Sequence, residues 1–190
     1  MQIFQDAAQK IGDIAVEAVK LELAAQGHRL TGALIDSVTY QVKQTSNGAL
    51  VEGLLLDYGI PVNTGVPAAN IPFGNGGRGR TSRSGSRSGG GNASKYIAGL
   101  TLFAKLKFRV PQKEAQRIAF AIANKHKKEG MPTQASKRFS KTGKRTGAIQ
   151  DGLEAVEDKI QEVMNEVLTA YINILFVDVF KSNLPNVKVE

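Results

Sequence analysis

From Phe73 to Lys95 the chain reads Phe-Gly-Asn-Gly-Gly-Arg-Gly-Arg-Thr-Ser-Arg-Ser-Gly-Ser-Arg-Ser-Gly-Gly-Gly-Asn-Ala-Ser-Lys. Its central part, Gly74 to Gly91, holds eight glycines, four serines and four arginines, with no acidic or large apolar side chain. Such a stretch cannot bury enough apolar surface to offset its ordering entropy, so residues 74–92 are expected to form a flexible loop. It sits between a patterned N-terminal half and a helical C-terminal half. Everything that packs must come from those two. A loop of this length inside a domain is usually functional or disordered.

The flanking halves carry clear periodicities. Ile3, Ala7, Ile11, Ile14, Ala18, Leu21 and Ala25 recur at spacings of three and four, which predicts a helix over Ile3 to Gln26 ended by Gly27. Thr31 to Val38 reads as a short helical turn leading into a strand. Val38, Tyr40 and Val42 then alternate with Thr39, Gln41 and Lys43. Ser46-Asn47-Gly48 marks a hairpin turn, and Ala49 to Asp57 returns as a second strand. Tyr58 to Phe73, punctuated by Gly59, Pro61, Gly65, Pro67 and Pro72, reads as an extended, turn-rich connection. Ser94 is a candidate cap for a helix carrying Tyr96, Ile97, Leu100, Phe103, Ala104 and Leu106. Pro111 breaks that helix and opens another, with Ala115, Ile118, Ala119, Ile122 and Ala123 as its apolar stripe and Gly130 as its stop. Residues 131–147 form a second basic loop. Residues 148–181 form a long C-terminal helix whose Leu153, Val156, Ile160, Val163 and Val167 make a heptad-like seam. Tyr171 to Phe180 is apolar all round and fits either helix or strand. Leu184 to Glu190 reads as a tail. The expected class is α+β: a small antiparallel hairpin packed with an N-terminal helix and central helices, plus the long C-terminal helix.

Charge is segregated along the chain. The net charge is +8, but Asn75 to Arg145 holds eighteen Lys/Arg and two acids, while the remainder holds seven Lys/Arg and fifteen acids. Such a division suggests a polyanionic partner, or head-to-tail contact between copies of the chain. The candidate electrostatic contacts, to a neighbouring subunit or a DNA backbone, are Arg78, Arg80, Arg83 and Arg87 in the first loop, with Lys137, Arg138, Lys141, Lys144 and Arg145 in the second. A solvated basic face is the plainer reading of the same residues. Interleaved aromatics are few: Tyr96, Phe103, Phe108 and Phe139. Any DNA contact should therefore be with the backbone and independent of sequence.

Signals for catalysis are poor. The chain has no cysteine, which removes disulfides and thiolate chemistry. His28 and His126 are single, without partners at metal-ligand spacing. Gly74-Asn-Gly-Gly-Arg-Gly lacks the Gly-Lys-Ser/Thr ending and the preceding strand of a phosphate loop. No Gly-x-Ser-x-Gly elbow occurs. The expectation is a protein that is not an enzyme, with no catalytic residues, cofactor or metal. The N-terminal residues lack a basic segment followed by an apolar run, so no signal peptide is expected. Val167 to Phe180 is too short and too interrupted to span a bilayer, so a soluble protein is expected.

An ordered set of short motifs adds to this. Leu30-Thr-Gly-Ala-Leu-Ile-Asp-Ser-Val precedes the hairpin, and Asp57-Tyr-Gly and Ile71-Pro-Phe follow it. Ser94-Lys-Tyr-Ile-Ala-Gly-Leu, Ala119-Phe-Ala-Ile-Ala, Lys127-Lys-Glu-Gly-Met-Pro-Thr and Arg138-Phe-Ser-Lys-Thr-Gly-Lys-Arg-Thr-Gly come next, ahead of the closing helix. In this order they resemble the phage tail-completion or neck proteins, the broad family that includes lambda Z-type minor tail proteins. The Arg/Gly/Ser loop is longer than that pattern requires. The resemblance implies one ring-forming domain over 1–190, in a virion structural protein at the head–tail junction, assembled in the host cytoplasm. It implies a ring of six or twelve copies around the DNA channel, meeting connector and tail-tube or terminator proteins, with no membrane partner. In such a ring the seam Leu153, Val156, Ile160, Val163 and Val167 would lie between subunits. A tail terminator or other tube-proximal ring protein is the near alternative. A sequence-independent DNA-binding accessory protein is the alternative of another class.

Overall fold

Amphipathic spacing and turn chemistry produce a mostly helical α+β structure. The computed structural model describes residues 2–46, 48–73 and 91–183. Its helices are α1 (Gln2–Ala25), α2 (Ala33–Ser37), α3 (Gly59–Thr64), α4 (Gly91–Phe108), α5 (Gln112–Glu129), α6 (Ala148–Glu154) and α7 (Glu157–Asn183). Strands β1 (Thr39–Thr45) and β2 (Gly48–Leu54) pair antiparallel, with Val42 opposite Val51. The chain divides into two compact units. The first comprises residues 1–22, 36–55 and 149–190, and the second residues 23–35 and 56–148.

In the first unit the hairpin packs on α1. Two strands alone are marginal in water, so the helix supplies what a third strand would. Tyr40 lies over Gly12, and its hydroxyl reaches Asp13 Oδ1 at 2.8 Å and the Gln9 carbonyl at 3.1 Å. Gln44, on the same face of β1, donates to Gln5 Oε1 at 3.0 Å. The opposite face is polar: Glu52 accepts from Gln41 and pairs with Lys43 at 2.5 Å. A second face of α1 meets the C-terminal helices running antiparallel to it. Gly152 approaches Val19, Lys10 pairs with Glu166 at 3.5 Å, and Phe4 meets Tyr171 edge-on at 5.0 Å. Ala8, Ala18, Val19, Val38 and Val163 form the buried centre.

In the second unit α4 packs against α5. Ala115, Ala119 and Ala123 recur every four residues on α5 and are fully buried, as is Ala104 on α4. Small side chains on both helices permit a close approach, and dispersion at short range compensates for their modest apolar area. Tyr96 Oη and His126 Nδ1, 2.6 Å apart, tie the pair together. Leu23, Leu34, Ile71 and Ala148 complete the core.

Three expectations change. Tyr58 to Phe73 is not wholly extended: it holds α3 and a 3-10 turn, Ala68–Asn70. Pro61 falls in the first turn of α3, where a missing N–H costs nothing. The C-terminal helix is not continuous, because α6 and α7 are separated at Ala155 and Val156. There the Val156 N–H bonds to the Leu153 carbonyl three residues back, and Glu157 and Asp158 favour a new helix N-terminus. Leu21, placed on the α1 stripe, is 65% exposed, whereas Val19 and Leu23 are buried. The open question at Tyr171 to Phe180 resolves as helix. Asn47, residues 74–90 of the expected loop and the expected tail at Leu184 to Glu190 lie outside the described residues; α4 begins at Gly91, so Asn92 and Ser94 lie within the helix and Ser94 does not cap it. Among the described residues, no helix is long and apolar enough to cross a membrane.

Candidate polyanion interface

The basic segment 131–147 belongs to the second unit and is fixed at both ends and in its middle. Gly130 caps α5 through its N–H to the His126 carbonyl at 2.7 Å. Met131 and Val66 exchange backbone hydrogen bonds of 2.7 and 2.8 Å. A 3-10 helix, Gln134–Phe139, follows, and the Ser140 N–H closes it on Lys137. Lys141 N–H donates to the Ala25 carbonyl at 2.8 Å, so the segment crosses the end of α1. Gly27 makes that crossing possible. Its φ is +80°, and a Cβ there would lie 2.6 Å from the Phe139 carbonyl oxygen. Further on, Gln26 Nε2 donates to the Thr146 carbonyl at 3.2 Å, and Gly147 N–H to the Asn63 carbonyl at 2.7 Å. What composition presents as a loop is a platform held by backbone hydrogen bonds.

The platform sorts its cations. Lys137, Arg138, Lys141 and Lys144 are exposed. Arg145 is not: it is half-buried beside Gly27 and His28, and desolvation holds its pKa below the ordinary value. His28 is also lowered, chiefly by burial and then by the Arg145 charge. Arg145 Nε and His28 Nε2 are buried with no hydrogen-bond partner among the described residues. Arg145 thus stands beneath the platform, and the other four stand on it. Arg78, Arg80, Arg83 and Arg87 lie outside the described residues.

Phe139, one of the few interleaved aromatics of the sequence, has surroundings that the sequence does not announce. Phe139 stands 56% exposed, with the Arg138 guanidinium 4.8 Å and Lys107 Nζ 5.8 Å from its ring centre. Exposed cation–ring contacts of this kind contribute about 0.5–1 kcal/mol each. The signal was a large aromatic beside Arg138 in an otherwise polar run. Lys107, thirty-two residues earlier, gave none.

The seam residues have partners inside the chain. Val163 is buried, and Ile160 and Val167 are half-buried, on the side of α7 that carries Glu166 and Tyr171 toward α1, while Val156, also half-buried, lies in the break before α7. Leu153, on α6, is exposed. Beside this seam Met164, Leu168 and Leu175 are exposed, while Tyr171 among them packs edge-on against Phe4.

Sequence and structure together give each unit its own charge. The first unit holds six Lys/Arg and fourteen acids, a net of −8, and the second nineteen Lys/Arg and three acids, a net of +16. Among the described residues, no group of three His, Asp or Glu is placed to hold a metal ion. No family model, curated protein or solved structure matches the chain.

Proposed function

We propose that the chain is a structural virion protein of a tailed bacteriophage, forming a homo-oligomeric ring at the head–tail junction around the DNA channel, without catalysis. The observation that carries this reading is the division of charge between two compact units of one chain, −8 and +16. A repeated subunit bearing complementary fields can bind head to tail, and such contacts close into rings when the rotation permits. The ordered motifs of the neck-protein pattern and the exposed apolar stripe on α7 support the same reading. Connector and tail-tube or terminator proteins are its other partners. The test is an electron-microscopy reconstruction of the particle with this chain located, together with deletion of its gene. The expected result is density at the neck and a failure of heads to join tails. Particles that join normally without the chain overturn the proposal.

A second reading, sequence-independent DNA binding, is favoured by one observation: Phe139 exposed among Lys107, Lys137, Arg138 and Lys141. Cationic grooves with stacking aromatics suit single strands. This reading expects affinity for DNA that falls steeply with salt and drops when Phe139, Arg138 and Lys141 are replaced by alanine. Absent or salt-insensitive binding removes it.

A further inference from the structure

The end of α7 is apolar on every side and exposed. Phe4, near the start of α1, meets Tyr171 edge-on, and α7 continues past that level to Asn183. Ile172, Ile174, Leu175, Phe176 and Val177 are between 45% and 59% exposed. At about 100° per residue these five spread around the whole helix, with Asn173 the polar side chain among them. A helix that is apolar all round is stable when a protein core, a bilayer or other helices surround it. Among the described residues, no helix is long and apolar enough to cross a membrane. Toward the helix N-terminus, Met164 and Leu168 are also about half exposed. With Tyr171 and Leu175 they stand at spacings of four, three and four, the spacing by which like helices pair in a coiled coil.

We infer that the α7 ends of two or more copies pack in parallel, each covering the tip of the next. Three observations select a second copy as the occupant. Val167 to Val177 holds no charged side chain, so the segment meets itself without like-charge repulsion. The acids of α7 stand elsewhere: Asp158, Glu162 and Glu166 recur every four residues, roughly 110–170° around the helix from the stripe, and Glu166 pairs there with Lys10. Glu157 falls in line with the stripe but lies about 10 Å before Met164, ahead of the contact. The third observation is extent. Met164, Leu168 and Tyr171, with the five residues of the tip, expose on the order of 100 Å² apiece, close to the roughly 800 Å² per partner of a stable interface. Parallel packing sets Leu168 and Leu175 each against its own counterpart, and it is the orientation that rotation about a common axis gives. This contact goes beyond the ring reading and needs of it only that copies associate.

The experiment uses the full chain, which has no cysteine of its own. Leu168→Cys and Leu175→Cys are made singly and oxidised with copper phenanthroline, with Leu54→Cys on β2 as the exposed control. Each α7 variant is expected to form a disulfide-linked pair at least tenfold faster than the control. Cross-linking at both positions fixes the parallel orientation, because an antiparallel contact brings only one of them against its own copy. A second arm follows mass by sedimentation. The double variant Leu168→Asp, Leu175→Asp is expected to associate about tenfold or more weakly than the wild type, with circular dichroism and thermal melting to show that it folds. Cross-linking no faster than in the control overturns the inference, as does a double variant that associates as the wild type does. A wild type that stays monomeric at its highest soluble concentration overturns it too. If that monomer floats with phosphatidylcholine vesicles, a lipid surface covers the tip; if it associates only once residues 184–190 are removed, the chain's own tail does. A chain located at the neck whose α7 cysteines do not cross-link overturns this contact and leaves the neck reading standing. Cross-linking by a chain absent from the neck does the reverse.

Discussion

Gly12 holds the hairpin to α1 by having no side chain. Helix propensity disfavours glycine mid-helix by about 1 kcal/mol relative to alanine, so a Gly12→Ala change would stabilise an isolated helix. In the fold the added Cβ would overlap the Tyr40 ring. The ring is held by its hydroxyl at Asp13 and Gln9, and that same bond to Asp13 raises the Tyr40 pKa. Overpacking of this kind costs about 1–3 kcal/mol, which outweighs the propensity gain. Gly12→Ala is therefore expected to lower the unfolding temperature, and Gly12→Ala with Tyr40→Ala to recover part of the loss. A melting temperature raised by Gly12→Ala would show that Tyr40 does not rest on the helix.

At the scale of elements, α4 and α5 carry a pH dependence that the sequence did not announce. His126 meets Tyr96 between the two helices, and burial lowers the His126 pKa and raises that of Tyr96. His28, at the end of α1, is lowered too. These are the only two histidines in the chain. With both folded-state values below 6.5, the unfolded chain binds more protons than the folded one as pH falls through that range. Their contribution is complete above about pH 6.5 and is lost as pH falls through the folded values. The unfolding temperature is expected to drop between about pH 7 and pH 5, and His126→Gln to flatten that drop. An unchanged slope in the variant would contradict the assignment. The sequence revealed α1, the hairpin, α4 and α5 because each has a strong period or a stop: Gly27 and Gly130 end helices where expected, and Ser46 and Gly48 flank the turn. It concealed α3, where Gly59 and Pro61 resemble a turn until Pro61 falls at a position that needs no N–H. It concealed the α6–α7 break, because Leu153 to Val167 keeps its spacing across Ala155 and Val156. The four exposed cations of the platform were legible from composition. The burial of Arg145 was not, since it depends on Gly27 and His28, more than a hundred residues away in sequence.

For the molecule as a whole, the opposed charges raise a question of range. Each copy carries +8 in total, so two copies repel at long distance. At physiological ionic strength the Debye length is about 8 Å, well below the span of a long helix. Repulsion between whole copies is then largely screened, and the charges that matter in the proposed ring are those of the basic unit of one copy brought against the acidic unit of the next. Raising salt toward about 1 M shortens the Debye length to about 3 Å and weakens such charge pairs while leaving apolar burial in place. Self-association is accordingly expected to weaken steadily from physiological to molar sodium chloride without being abolished, as measured by sedimentation. Association that strengthens with salt would mean that net repulsion governs the encounter and that the two charged units do not face each other between copies.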